Sequence, residues 1–232
     1  MTGFLASVAS LDEMEAARLG GADIVDLKEP ARGALGAWSH DDLRRAVAAW
    51  TAWRGPRPLL SATIGDQPMT PGIVREAAEA VASTGVPIVK LGVFADGDPL
   101  ACFAALEPLA ARRRLIAVFF GDLAPDLALL EHVAAAGFHG AMLDTADKAA
   151  GGLRRHLGQP ELSAFVNRAR TLGLLTGLAG SLTIEDIAPL ASLGPDYLGF
   201  RGALCVGGRT GRVDPAAIRN VRATLEESRR AA

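Results

Sequence analysis

The chain has 232 residues, of which half are hydrophobic and 22% are charged, with a formal net charge of -2. This balance is typical of a soluble globular protein and argues against a polyanion-binding surface, so nucleic acid is not an expected partner. Two cysteines without metal-ligand spacing, no long apolar run and no secretion signal predict a cytoplasmic protein without disulfide, zinc site or membrane segment.

Short apolar or β-branched runs alternate along the chain with segments of helical period that are rich in Ala, Leu and Arg. The predicted strands cover residues 4–8, 22–28, 59–64, 88–92, 115–121, 140–146, 174–180 and 197–201. A predicted helix follows each strand, at residues 11–19, 41–53, 71–83, 99–110, 125–136, 161–172, 184–193 and 215–229. Cap-type residues such as Ser10 and Asp98 precede helices, and glycines such as Gly20 and Gly137 stand where helices should end.

Eight strand-then-helix units predict a fold of the α/β class. Repeated alternation requires parallel strands that are joined by right-handed crossovers. Polar residues cluster at the C-terminal ends of most predicted strands, and a closed barrel gathers such ends around one mouth. We therefore expect a single (β/α)8 TIM barrel over residues 1–232, and a doubly wound open sheet is the alternative.

Charged residues lie at the ends of three predicted strands. Asp26 and Lys28 share one face of the second strand, because side chains of a strand alternate with a period of two residues. Lys90 lies near the end of the fourth strand, and Asp144 and Lys148 lie near the end of the sixth. Three lysines and two carboxylates are thus expected to meet in the mouth of the barrel.

These three lysines are the only ones in the chain, whose other fully charged basic residues are all arginines. A lone lysine is most often a solvated surface cation. Lysine, however, can lose a proton and attack a carbonyl, which arginine cannot easily do, and burial favours the neutral amine. We therefore predict that Lys28, Lys90 and Lys148 are functional amines. Asp26 and Asp144 would orient them, stabilise an iminium or relay protons, unless they only form structural ion pairs.

Glycine-rich segments follow the last two predicted strands. Gly180 and Ser181 follow the seventh strand, and Arg201 and Gly202 follow the eighth. In (β/α)8 barrels the loops after these strands often bind phosphate, because glycine lets backbone N–H groups approach an anion and arginine adds a charged fork. These four residues are therefore predicted to bind a substrate phosphate, and simple tight turns are the alternative.

The sequence has no signal for a metal or a cofactor. Its four histidines have no metal-ligand spacing, and no Gly-x-Gly-x-x-Gly segment joins a strand to a helix. We therefore expect neither. Trp50 and Trp53 on the second predicted helix fit either an oligomer interface or core packing, and a homo-oligomer is expected.

Six segments resemble one enzyme family in their order and spacing. They are GGADIVDLKEPARGALGA, SATIGD, IVKLG, MLDTADK, LAGSL and FRGALC. The chain is similar over essentially its whole length to the (5-formylfuran-3-yl)methyl phosphate synthases, and DLKEP, the downstream RGALG and LDTADK are the most specific matches. The resemblance implies a (β/α)8 carbon–oxygen lyase that condenses two molecules of glyceraldehyde 3-phosphate into a furan aldehyde phosphate, with release of phosphate and water.

The same resemblance implies roles for individual residues. Lys28 in DLKEP matches the lysine that forms a Schiff base with the substrate, and Lys90 in VKLG matches the proton acceptor. Asp26, Asp144 and Lys148 match further active-site positions. The family belongs to methanofuran biosynthesis, which implies a role in one-carbon metabolism such as that of methanogens and methylotrophic bacteria.

Three other functions share part of this chemistry. A class I aldolase acting on another small sugar phosphate would use the same amine and phosphate contacts but would give an open-chain product. A non-catalytic phosphate-binding regulator would bind the ligand without turnover. A pyridoxal phosphate enzyme would also use a lysine imine, but with that cofactor.

Overall fold

Eight parallel strands form a closed barrel in which β8 returns to pair with β1. The computed structural model describes residues 1–55 and 57–231; Pro56 and Ala232, which the predicted domain includes, lie outside the described residues. The strands are β1 Gly3–Val8, β2 Ile24–Leu27, β3 Leu59–Thr63, β4 Ile88–Gly92, β5 Arg114–Phe120, β6 Gly140–Asp144, β7 Leu175–Leu178 and β8 Tyr197–Phe200. The predicted (β/α)8 TIM barrel is confirmed, and the doubly wound sheet is wrong because such a sheet does not close.

Helices connect the successive strands. They are α1 Leu11–Leu19, α2 His40–Ala52, α3 Pro71–Ser83, α4 Pro99–Ala110, α5 Leu129–Ala135, α6 Leu153–His156, α7 Gln159–Thr171, α8 Ile187–Ala191 and α9 Pro215–Ala231. A short antiparallel hairpin of β9 Cys205–Val206 and β10 Arg212–Val213 lies between β8 and α9. With the exception of α5 and α8, the predicted elements are present with bounds that differ by at most two residues.

Two predicted helices begin later than expected. The helix predicted at 125–136 begins at Leu129, because Ala124 adopts a left-handed conformation (φ 48°) and Asp126 Oδ1 accepts a hydrogen bond from the Ala128 N–H. The helix predicted at 184–193 begins with a 3-10 turn and becomes α-helical only at Ile187. The sequence did not predict α6 or the β9–β10 hairpin, since both are too short to show a periodic pattern.

Apolar side chains fill the barrel interior at the N-terminal ends of the strands. Leu5, Ile24, Ile116 and Tyr197 belong to this interior cluster. Gly177 makes room for the tyrosine, because an added Cβ would lie 2.3 Å from an atom of the Tyr197 ring. The second, larger cluster packs outward-facing strand residues against the helices. Because side chains fill the barrel at the N-terminal ends of the strands, a cavity can form only at their C-terminal ends.

An apolar group covers one side of the barrel mouth. Ala34 and Leu35, in the connection between β2 and α2, pack in the interior cluster with Phe94 and Phe120, whose ring centroids are 4.7 Å apart. Asp66 fixes this connection, since its carboxylate accepts hydrogen bonds of 2.8 Å from the N–H groups of Ala34 and Leu35. The mouth is therefore apolar next to β5 and open toward β1, β6, β7 and β8.

Contacts within the chain account for the indole of Trp50, in α2, and for that of Trp53, which follows directly after α2. The Trp50 Nε1 donates a hydrogen bond of 2.8 Å to the Pro58 carbonyl, and the Arg57 guanidinium lies 4.6 Å from the Trp50 ring centroid. Arg18 lies 5.2 Å from the centroid of Trp53. The homo-oligomer therefore stays a prediction. None of the described helices combines the length and the apolar character needed to cross a bilayer.

Candidate active site

A cavity of about 340 Å³ lies at the C-terminal ends of the barrel strands. Its wall includes all three lysines of the chain, Lys28, Lys90 and Lys148. It also includes the carboxylates of Asp26 and Asp144. These residues belong to β2, β4 and β6 or follow them within a few positions. The structure thus brings together the five charged residues that the sequence places at strand ends.

A buried ion pair joins β2 to β4. The Lys90 Nζ lies 3.0 Å from Asp26 Oδ2, and the Ser61 Oγ of β3 donates a hydrogen bond of 2.6 Å to Asp26 Oδ1. Asp26 is 1% exposed and Lys90 is 3% exposed. One carboxylate therefore balances one ammonium group, and a hydroxyl engages its other oxygen. Buried charges are stable only when each has a counter-charge and further hydrogen bonds, as these two have.

A second charged group spans the barrel from β2 to β6. The Lys28 Nζ lies 3.2 Å from Asp144 Oδ2. The Lys148 Nζ donates to Asp144 Oδ1 and to the Thr145 carbonyl oxygen. The Thr145 N–H also donates to Asp144 Oδ1, at 2.8 Å. In this Lys28–Asp144–Lys148 cluster, one carboxylate faces two amines.

Asp26 and Lys28 face the cavity together, as their spacing on β2 predicts, but each forms its ion pair with another strand. Residues two positions apart on a strand are about 6 to 7 Å apart along the chain. Side chains that reach across the barrel come closer than that, as the Lys28–Asp144 distance shows. The pairing partner of each lysine therefore depends on the closure of the barrel.

The charges of the cluster shift the pKa values of two members. Burial raises the pKa of Asp144, but the charges of Lys148 and Lys28 outweigh burial and hold this pKa well below its ordinary value. Burial lowers the pKa of Lys148 to about 8; the charge of Asp144 opposes this change and the charge of Lys28 adds to it. A proton can therefore leave Lys148 close to neutral pH, while Asp144 stays ionised.

Ser7 of β1 is a cavity residue that sequence reasoning missed. It is 6% exposed, and its Oγ has no hydrogen-bond partner among residues 1–55 and 57–231. Its register partner on β2 is Asp26, and it lines the same cavity. The available signal was one polar residue at an inward position of an apolar strand. The hydroxyl is therefore able to bind a polar group of a bound molecule.

The loops after β7 and β8 line the cavity opposite the lysines of β2 and β4. Gly180 and Ser181 both have positive φ, at 106° and 47°, and an added Cβ on Gly180 would lie 3.0 Å from Thr145. Gly202 begins a 3-10 turn directly after Arg201. Glycine at these positions lets the backbone approach a ligand, which suits the phosphate contact that the sequence predicts.

The side chain of Arg201 is fully occupied by protein acceptors. Its guanidinium donates to both oxygens of Glu13 and to the carbonyl oxygens of Ser7, Arg209 and Gly211. These contacts use all five of its N–H donors. Arg201 lines the cavity, but a direct contact with phosphate would require some of these hydrogen bonds to break, so its phosphate contact stays a prediction. The strand-end position suggested a ligand, but the charge of Arg201 is matched by Glu13, and its side chain stabilises the loop that follows β9.

The closed barrel defines the class of this chain, the (β/α)8 barrels, with an amine-lined cavity at the C-terminal ends of the strands. The structure is similar to phosphoribosyl anthranilate isomerase from Thermus thermophilus, with a TM-score of 0.68 and 16% identity over 98% of this chain and 99% of that chain. At this identity the similarity shows the fold alone.

The family is shown by sequence comparison. The model of the 4-HFC-P synthase family matches residues 4–222, and the chain belongs to this family. A Methylorubrum extorquens protein provisionally named (5-formylfuran-3-yl)methyl phosphate synthase is 45% identical over an alignment of 208 residues, with 87% of this chain and 81% of that protein covered. The (5-formylfuran-3-yl)methyl phosphate synthase of Methanothermobacter thermautotrophicus is 35% identical over 236 residues, with 96% and 98% of the two chains covered. The family resemblance found in the sequence motifs is confirmed.

Proposed function

We propose that this chain condenses two molecules of glyceraldehyde 3-phosphate to (5-formylfuran-3-yl)methyl phosphate. The atoms balance when one inorganic phosphate and two water molecules are released, so no oxidant or reductant is required. The observation that carries the proposal is the convergence of all three lysines on one cavity in a member of the 4-HFC-P synthase family. The chain would then act as a carbon–oxygen lyase on phosphates, in the cytoplasmic synthesis of methanofuran for one-carbon metabolism.

Lys28 is the amine that we assign to the Schiff base. It is 7% exposed, and its Nζ lies at the cavity wall 3.2 Å from Asp144 Oδ2. Attack of the neutral amine on a triose aldehyde forms a C–N bond and releases water. The iminium withdraws electrons from the neighbouring carbon, which loses a proton, and the resulting enamine forms the new C–C bond with the second aldehyde. Asp144, which faces the ammonium group, would stabilise the iminium that replaces it.

Lys90 and Lys148 are assigned to proton transfer. Lys90 accepts a proton only as a neutral amine, so its own proton must leave before it takes one from the substrate carbon. The ammonium group that then forms would lie 3.0 Å from Asp26 Oδ2, a buried carboxylate. Lys148, whose pKa is about 8 because burial lowers it, lies on the other side of Asp144 from Lys28. It would protonate the oxygen that leaves when phosphate is eliminated and when the ring loses water.

The phosphate that the product retains is assigned to the loops after β7 and β8. Gly180, Ser181 and Gly202 line the cavity there, and backbone N–H groups of glycine-rich turns bind anions. Arg201 is left out of this contact, because its five donors are engaged by Glu13 and by backbone carbonyls. In this proposal Arg201 shapes the site without touching the substrate.

The reaction is tested by incubating the protein with glyceraldehyde 3-phosphate alone. The product should have the ultraviolet absorbance of a conjugated furan aldehyde, and one inorganic phosphate should be released per product. Lys28→Arg keeps a positive charge next to Asp144 but removes the amine that attacks, so turnover should fall by roughly a thousandfold or more. An open-chain condensation product would favour an aldolase instead.

The Schiff base is tested separately by trapping with borohydride. Borohydride reduces an imine to a stable secondary amine, and the chain has only three lysines, so peptide masses assign the modified residue. We expect the added mass on Lys28 in the wild-type chain and in Lys90→Arg, and none in Lys28→Arg. Normal turnover of Lys28→Arg, or trapping at Lys90 or Lys148 instead, would rule out the assignment of Lys28.

A further inference from the structure

The cavity contains more positive than negative charge. Arg201 in its wall is matched by Glu13, at 2.5 Å. The other charged groups of the wall are the cations Lys28, Lys90, Lys148 and Arg209 and the anions Asp26 and Asp144. Two positive charges are therefore not matched by a carboxylate of the wall. Such an excess in a partly closed cavity favours an anionic ligand. Two triose phosphates bring two phosphates, of which the loops after β7 and β8 account for one.

Arg209 is the cation of the wall that has no role so far. It lies in the turn of the β9–β10 hairpin, which covers the cavity next to β8. Its Nη2 donates a hydrogen bond of 3.1 Å to the Gly33 carbonyl oxygen in the β2–α2 connection. This bond is the one side-chain hydrogen bond of Arg209 within residues 1–55 and 57–231. Because a guanidinium has five N–H donors, four stay available to a ligand.

The hairpin turn that presents Arg209 is fixed by the protein. The Arg201 guanidinium donates hydrogen bonds of 2.8 Å to the carbonyl oxygens of Arg209 and Gly211 on the two sides of the turn. Glu13 accepts from Arg201 and from the Val213 N–H, which connects the hairpin to the start of α1. The backbone of Arg209 is therefore positioned before a ligand binds. A fixed cation costs less entropy on binding than a free side chain.

Arg209 also lies close enough to Lys148 to affect it. The positive charge of Arg209 adds to burial and to Lys28 in lowering the pKa of Lys148. Two cations that repel each other across a cavity are both stabilised when an anion binds between them. Phosphate is the anion that a guanidinium recognises best, because its planar fork can bind two phosphate oxygens at once.

We propose that Arg209 binds the phosphate of a triose phosphate at a second phosphate subsite, between the β9–β10 hairpin and Lys148, and so discriminates phosphorylated from free aldehydes. The choice of a triose phosphate as ligand rests on the proposed function. The subsite itself rests on the lining of the cavity, on the free donors of Arg209 and on the unmatched charge.

The test separates phosphate binding from turnover. Glycerol 3-phosphate has the phosphate of the substrate but no carbonyl, so its binding to the intact protein is measured by calorimetry without reaction. The wild-type chain should bind two molecules of glycerol 3-phosphate, one at the loops after β7 and β8 and one at Arg209. Arg209→Gln should weaken binding of the second molecule about tenfold or more, and Arg209→Lys, which keeps the charge but loses the fork, should weaken it less. Arg212→Gln is the matched control, because Arg212 is exposed on the same hairpin and lies outside the cavity wall.

A second measurement distinguishes phosphate recognition from a damaged site. Unphosphorylated glyceraldehyde should be trapped by borohydride on Lys28 to the same extent in the wild-type chain and in Arg209→Gln. The inference would be overturned if Arg209→Gln bound both molecules of glycerol 3-phosphate within twofold of wild type, or if the wild-type chain bound only one or none. It would also be overturned if Arg209→Gln lost glyceraldehyde trapping as strongly as it lost glycerol 3-phosphate binding. If no furan forms although Arg209→Gln weakens binding, the proposed reaction fails and the subsite stands.

Discussion

The two lysine–carboxylate groups of the cavity differ in charge balance. In the Asp26–Lys90 pair one carboxylate faces one ammonium group, and Ser61 engages its other oxygen. In the Lys28–Asp144–Lys148 cluster one carboxylate faces two amines. The pair is also deeper: its side chains are 3% and 2% exposed, whereas those of Lys28 and Lys148 are 9% and 10% exposed.

This difference separates two tasks that a lysine can perform in one barrel. In the pair each charge has one counter-charge, so the loss of either partner would leave a buried charge unmatched. In the cluster, one amine can lose its proton while the other still neutralises Asp144, so a neutral amine costs less. The pKa of Lys148 is lowered mainly by burial and further by the charge of Lys28, which agrees with a neutral amine in the cluster. We therefore expect changes in the pair to affect folding most and changes in the cluster to affect chemistry and pH dependence.

The largest effect on stability is expected from Asp26→Asn. This change leaves the ammonium group of Lys90 buried without a counter-charge, and the free energy of unfolding should fall by roughly 3 to 5 kcal/mol. Urea unfolding at pH 7 measures the change. The double variant Asp26→Asn/Lys90→Met removes both charges at similar volume and should recover most of the loss. A double variant no more stable than Asp26→Asn would contradict the view that the pair is balanced.

A smaller effect with a defined pH window is expected from Lys148. Its pKa in the folded chain is about 8 because burial lowers it, against 10.5 for an ordinary lysine. Between these pH values the unfolded chain binds more protons than the folded chain, so the free energy of unfolding should rise with pH. The slope contributed by Lys148 is at most about 1.4 kcal/mol per pH unit. The difference between wild type and Lys148→Met, followed by urea unfolding from pH 7 to 10, isolates this group; a constant difference would show that its pKa is not lowered.

The smallest effect is expected from Ser61→Ala. The change removes one hydrogen bond to Asp26 Oδ1 but leaves the Lys90 ion pair in place, so the free energy of unfolding should fall by roughly 2 kcal/mol. Ser83→Ala, at the exposed end of α3, is the control and should change stability by less than about 0.5 kcal/mol. A loss as large as that of Asp26→Asn would mean that Ser61, rather than Lys90, is the main partner of Asp26.

The positions of the strand-end lysines were predictable from the sequence, whereas the hydrogen-bond partners of Arg201 and the places of Arg209 and Ser7 in the cavity wall were not. The place of Lys28 and Lys90 in the mouth follows from the period of their strands and from the closed barrel. Arg201 was predicted to bind phosphate, but the sequence carries no sign that Glu13, 188 positions away, matches its charge. Arg209 and Ser7 were not selected, because a hairpin turn and a single polar residue in a strand give weak local signals.

The sequence by itself determined the eight strand-then-helix units and the presence of every lysine at a strand end, since both depend on short-range periodicity. It also determined the family, because the motifs around Lys28 and Asp144 are specific. The tertiary structure alone decided which carboxylate each lysine contacts and which arginine keeps free donors. Ion pairs and hydrogen bonds depend on distances of a few ångströms between strands and loops that are far apart in the chain, and only closure of the barrel sets those distances.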